Sequence, residues 1–149
     1  MSALKDQIRA DLKDAMKAKE KERTGTIRML LAAIQTAETE GTKHEVDDAE
    51  IQKIIAREIK KRRESADIYK TNGREDLAQT ELAEAGILEA YQPKQLDDQE
   101  LAKLIDDAIA ETGAQSMAQM GQVMKAATAK ADGRADGKRI SEAVKARLG

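Results

Sequence analysis

The stretch Ile51–Tyr69, IQKIIAREIKKRRESADIY, decides the fold class. Ile51, Ile55, Ile59, Arg62, Ala66 and Tyr69 recur at three- and four-residue steps, with Ile54 widening the stripe. That is the period of an α-helix with one face turned to a core. Asp47 followed by Glu50 predicts a capping box at its start, with Val46 placed for a hydrophobic staple. Asn72–Gly73 predicts its end, which makes it the longest helix of the chain.

The same period extends outward in both directions. Upstream, Ser2 is positioned as an N-cap for a helix with Leu4, Ile8, Leu12 and Met16 on one face. Arg23–Thr24–Gly25 is expected to interrupt the helix, and Ile27, Leu30, Leu31 and Ile34 resume it to about Glu40 before a loop at residues 41–44. Downstream, a fourth helix is expected from Arg74 to Ala90, with Leu77, Leu82, Ala85 and Leu88 inward. Pro93, the one proline, lies in Tyr91–Gln95 and marks the expected hinge, because proline disfavours helix at the residue before it. Asp97 and Glu100 form a second capping box before Leu101, Leu104, Ile105, Ala108 and Ile109, and Gly113 closes that helix. Ser116 is expected to cap a short helix with Met117, Met120, Val123, Met124 and Ala127. After a tight loop at Gly133–Gly137, Asp136 is expected to cap a last one with Ile140, Val144 and Leu148. No segment alternates with the two-residue period of a strand. The expectation is an all-α protein, with about four helices in residues 1–92 and a small three-helix bundle in residues 93–149.

Composition agrees. Phe and Trp are absent and only two Tyr occur, so the core must be built from thin side chains. With no Cys there is no disulfide, thiolate metal site or cysteine nucleophile. No apolar run is long enough for a membrane span. Residues 1–19 carry Asp6, Asp11 and Asp14, unlike acid-poor transit peptides, so the expected setting is soluble and cytoplasmic.

The residues for catalysis are few. A single histidine, His44, falls in an expected loop, where an exposed and inert side chain is predicted. One histidine excludes an HExxH zinc site, and no serine lies in a GxSxG elbow. Asp132–Gly137 starts like a calcium loop, but Arg134 occupies the third ligand position and Ala143 the twelfth. The reading is therefore no catalytic residue, no cofactor and no metal. Met117, Met120 and Met124 are expected to pack in the core rather than face a partner.

Two basic clusters remain, although the formal net charge of −2 excludes a uniformly basic coat. Residues 51–74 carry a local +5, from Lys53, Arg57, Lys60, Lys61, Arg62, Arg63, Lys70 and Arg74 against three acids. Ordinary pairs such as Glu58–Arg62 are expected within it. Residues 113–149 carry a local +4, while residues 93–112 carry −4. In the later cluster, Lys125, Lys130, Arg134, Lys138 and Arg139 gather around a glycine-bounded loop and the start of a helix, a setting suited to phosphate. Gly133 and Gly137 are expected in conformations closed to other residues, with Arg134 free to project. The nucleic-acid-binding candidates are these five together with Arg57, Lys60, Lys61 and Arg63.

Six stretches now carry a resemblance over nearly the whole chain: residues 28–34, 58–65, 73–78 with Tyr69 and Glu81, 88–96, 120–124 and 133–137. They resemble a stand-alone member of the GatB/YqeY family. The family joins small bacterial proteins with the helical tail of the B subunit of glutamine-dependent aminoacyl-tRNA amidotransferases. The resemblance implies an all-helical fold and an engagement with tRNA. It also brings a label of carbon–nitrogen ligase with glutamine as amido donor, inherited from a larger machine whose glutaminase and ATP-dependent parts have no room in this chain. The functional expectation is a noncatalytic module for tRNA or other structured RNA. The alternative is a helical adaptor for the amidotransferase or a synthetase. RNA binding would rest on phosphates and shape, since Tyr69 and Tyr91 offer little stacking.

Overall fold

A computed structural model describes residues 2–149. The protein is all-α: among the described residues there are seven α-helices, one 3₁₀ turn and no strand. The helices are α1 (Ala3–Lys17), α2 (Lys21–Thr39), α3 (Asp48–Thr71), α4 (Glu75–Glu89), α5 (Asp98–Thr112), α6 (Met120–Ala131) and α7 (Gly137–Leu148), with the 3₁₀ turn at Met117–Gln119. The chain divides into two compact units, Met1–Gln92 and Pro93–Gly149. None of the helices is long and apolar enough to cross a membrane.

In the first unit, Ile8, Ile27, Leu30, Ile34, Ile51, Ile55 and Leu88 are completely or almost completely buried around one core. α3 and α4 pack as a hairpin, and α1 and α2 close against them. The turn between α1 and α2 does not fall where glycine suggests. It lies at residues 18–20, where Lys19 takes a left-handed φ of 59°, and α2 runs through Gly25 without a break. Packing overrides propensity here: Thr24, Thr26 and Ile27 are all buried, and the Thr26 hydroxyl donates to the Glu22 carbonyl at 3.0 Å. Within α1, Met16 faces outward, 49% exposed, contrary to the expected stripe, and Ala15 is buried in the core.

The caps form where the sequence places them. Ser2, Asp47, Asp97 and Asp136 each accept a backbone N–H three residues on. At α5 the box is complete, with the Glu100 side chain returning to the Asp97 N–H. At α3 only half of the expected box forms. Asp47 accepts from the Glu50 N–H at 2.8 Å, but the Glu50 carboxylate turns to His44 Nε2 at 2.9 Å. His44 Nδ1 lies 3.0 Å from the Thr42 carbonyl. The expected inert histidine is therefore held at both ring nitrogens, and its carboxylate partner raises its pKa above the ordinary value. Asp48 binds the start of α1 to the start of α3, accepting from the Ser2 hydroxyl and from the Leu4 N–H.

The second unit has its own core of Ile105, Ala108, Val123, Ala127, Ile140 and Val144. Ser116 makes no capping hydrogen bond, contrary to expectation, and the chain enters α6 through the 3₁₀ turn with Met117 exposed. Met120 and Met124 pack against the core.

Candidate nucleic-acid interface

The loop at residues 132–136 connects α6 to α7. α6 ends with Asp132 in the left-handed region at φ 47°, followed by Gly133 at φ 80°. Gly137 has no positive φ; it is the first residue of α7, so that expectation is corrected. Arg134 is not free. Its Nε donates to the Ala131 carbonyl at 2.9 Å and a terminal nitrogen donates to the Lys130 carbonyl at 2.8 Å. These carbonyls lie in the last turn of α6, where no helical N–H follows to pair them. The Ala131 carbonyl also accepts the Arg134 N–H at 2.9 Å, and a cation there opposes the negative end of the helix dipole.

The backbone of the loop is equally engaged. The Arg134 carbonyl accepts from the Leu96 N–H at 2.7 Å, and the Gly133 carbonyl accepts from Gln95 Nε2 at 3.2 Å. A Cβ at Gly133 would meet Pro93 Cγ at 3.8 Å. The loop thus clasps the first residues of its own unit to the end of α6. Its charges are also largely paired. Lys130 pairs with Glu111 at 2.7 Å, which raises the lysine pKa, and Arg139 pairs with Asp98 at 3.1 Å. Lys125 and Lys138 are exposed, with no acidic partner among the described residues.

The outward face of α3 differs. Lys53, Arg57 and Lys61 fall at four-residue steps, all exposed, and none has an acidic partner among the described residues. Four helical residues advance about 6 Å, so three cations stand in a row roughly 12 Å long. Lys60 lies beside them, only 4.0 Å from Glu64 with both side chains mostly exposed, a contact too weak to hold its charge. Arg63 is turned away to Glu89. Arg74 pairs with Asp76, which raises the arginine pKa and lowers the carboxyl's.

Arg62 belongs to the interior. It is 4% exposed, donates to the Glu58 carbonyl at 3.1 Å and lies 3.4 Å from the Glu58 carboxylate. Its Nε sits 3.3 Å from Glu84, close enough for an ion pair but misaligned for a hydrogen bond. The sequence offers Glu58 through its spacing but not Glu84, which only the α3–α4 hairpin delivers. Arg9 and Arg28 were missed for the same reason: they lie on different helices and meet only where α1 and α2 line one cleft.

Fold and charge placement define the class: an all-helical protein of two small units, with a row of unpaired cations along its longest helix. The chain belongs to the Yqey-like protein family, whose model matches residues 5–148. It is 31% identical over 147 residues to a protein of Pyrenophora tritici-repentis named "Altered inheritance of mitochondria protein 41, mitochondrial", covering 95% of this chain and 81% of that one. Identically named proteins of Meyerozyma guilliermondii and Saccharomyces cerevisiae are 40% identical over 84 residues and 30% over 105. Those matches cover 56% and 66% of this chain, and 43% and 57% of the relatives. The chain thus spans about half the length of several relatives it matches. These relatives are fungal and are named mitochondrial, which overturns the expectation of a cytoplasmic setting. The acidic residues of the first 19 positions lie on a helix that packs Ile8 and Ala15 into the core. They reflect the folding of α1 and carry no information about compartment.

Proposed function

We propose that the protein is a noncatalytic module that binds structured RNA, tRNA first, by laying the outward face of α3 along phosphates. The row Lys53–Arg57–Lys61 carries the proposal, because its charges are not spent on internal pairs. Lys60 adds charge beside it on the same helix; Lys125 and Lys138 are exposed cations of the second unit and belong to that unit alone. Arg134 is left out, since its guanidinium is committed to α6, and Lys130, Arg139 and Arg63 would first have to leave their carboxylates. In this reading the two units act as separate bundles, of four helices in residues 1–92 and three in residues 93–149. No ligase chemistry is proposed.

The test is the binding of labelled tRNA to the full chain across a salt series. Replacing Lys53, Arg57 and Lys61 by Ala removes three phosphate contacts. The slope of log affinity against log salt should then fall in magnitude by about 2.1 on single-stranded segments and about 2.7 on duplex. No binding at low salt and micromolar protein defeats the proposal.

A second reading, an adaptor for a protein such as the amidotransferase or a synthetase, rests on the long amphipathic α3, on which Ile68 is 61% exposed. Partners retained after nuclease treatment, and lost on Ile68→Lys, would support it over RNA.

A further inference from the structure

The stretch Arg28–Ile34 has two faces. Leu30 and Ile34 are buried in the core of the first unit, while Arg28, Leu31 and Ala32 line an open cleft of about 440 Å³ between α1 and α2. Lys5 and Arg9 of α1 complete the lining with Gln35 and Glu38 of α2. Three cations therefore face one carboxylate. That carboxylate is already taken: Lys5 Nζ holds both Glu38 oxygens, at 2.8 and 3.0 Å, and the Val46 N–H approaches one of them at 3.4 Å. The Lys5 hydrogen bond dominates the lowering of the Glu38 pKa, and the field of Arg9 contributes as well. Arg9 and Arg28 have no carboxylate partner among the described residues; Arg28 only touches the Met16 sulfur at 3.7 Å.

We propose that this cleft is a binding site for a phosphate monoester of about nucleotide size. The Arg9 and Arg28 guanidiniums receive the phosphate, a planar fork matching its oxygens better than a lysine point charge does. Leu31 and Ala32 offer an apolar wall to the organic part, and Gln35 supplies an amide that both donates and accepts. The volume falls within the usual range for small-molecule pockets, roughly 300–1,000 Å³. The site uses no residue of the α3 row, so it stands or falls independently of the RNA reading.

The experiment is a titration of the ¹⁵N-labelled full chain, followed by its amide spectrum, with four probes: inorganic phosphate, a nucleoside 5′-monophosphate, and a trinucleotide with and without a 5′-phosphate. The expected result is saturable shifts at residues 5–9 and 28–35, including the Gln35 side-chain amide, from the monophosphate more tightly than from phosphate alone. The 5′-hydroxyl trinucleotide should leave them unmoved. A response to the 5′-phosphorylated trinucleotide at least equal to that of the free nucleotide identifies an RNA end as the source. A weaker one identifies a free metabolite. Arg9→Ala and Arg28→Ala should each weaken binding about tenfold, charge-assisted hydrogen bonds being the strong ones. Glu38→Gln keeps an acceptor for Val46 while removing the single negative charge, and should tighten binding. A merely structural role for Glu38 predicts no tightening. Absence of saturable shifts from every phosphorylated probe, or shifts unchanged in Arg28→Ala, overturns the proposal. Loss of tRNA binding in the Lys53/Arg57/Lys61 variant with the cleft still titrating separates its fate from that of α3.

Discussion

Arg134→Ala tests whether the loop before α7 is a clasp or a phosphate site. The side chain makes two charge-assisted hydrogen bonds, at 2.9 and 2.8 Å, to the last carbonyls of α6, from a half-buried position. A cation at a helix C-terminus contributes about 0.3–1 kcal/mol when exposed and up to about 2 kcal/mol when partly buried. With two aligned bonds and partial burial, the loss should be about 1–2 kcal/mol. The second unit is only 57 residues long by its bounds, and its core is rich in alanine. In a domain of that size each kcal/mol moves the midpoint by about 4–8 °C, so its unfolding should shift down by about 5–15 °C. Because a chain of two units need not unfold in one step, the assay is amide exchange resolved to α6 alongside thermal circular dichroism. Protection in α6 should fall by roughly 5- to 30-fold, following the free-energy scale. Arg134→Lys should recover less than half, since one ammonium cannot reproduce the two-pronged fork. Lys138→Ala, which removes an exposed charge, should stay within about 0.5 kcal/mol. Should Arg134→Ala leave α6 protection intact while lowering the salt slope of tRNA binding by about 0.7–0.9, the clasp reasoning is wrong and the loop touches phosphate.

Asp136→Ala removes the cap of α7, whose carboxylate accepts from the Arg139 N–H at 2.8 Å, and should cost about 1 kcal/mol in chemical denaturation. Arg62→Ala leaves Glu58 and Glu84 facing each other without their shared cation and should destabilise the first unit by about 3 kcal/mol; Arg62→Met, which fills the space, should cost less than Ala. His44 has a folded pKa above its ordinary 6.5, chiefly through Glu50. Its contribution to stability is therefore fully present below pH 6.5 and is lost as pH rises through the folded value. Denaturation midpoints of the wild type should decline across that window, whereas those of His44→Ala should not. A ring titration by NMR at or below 6.5 would refute the pairing.

The helical period of Ile51–Ala66, the four caps and the stop at Gly73 were legible in the sequence, and with them the all-α class. These features are local: a cap joins residues three apart, and a hydrophobic stripe repeats within a few turns, so the interactions are written in adjacent positions. Charge was legible only as a count. The sequence put more promise on Arg134 than on Arg57, yet Arg134 spends its guanidinium on two carbonyls of α6 and Arg57 is left on the surface. Arg134 is spent locally, on carbonyls three and four residues back, but other charges are spent on partners far along the chain: Glu38 for Lys5, Glu84 for Arg62, Asp98 for Arg139. The break between α1 and α2 was missed for a related reason, because burial of Thr24 and Thr26 outweighed the local preference of a Thr-Gly-Thr run to leave the helix. The sequence by itself determined the all-α class, four of the five expected caps and most of the inward faces, since those follow from short-range periodicity and backbone hydrogen bonding. Only the tertiary structure decided which cations remain available and where a cleft opens, since both depend on helix pairings that bring together residues dozens of positions apart.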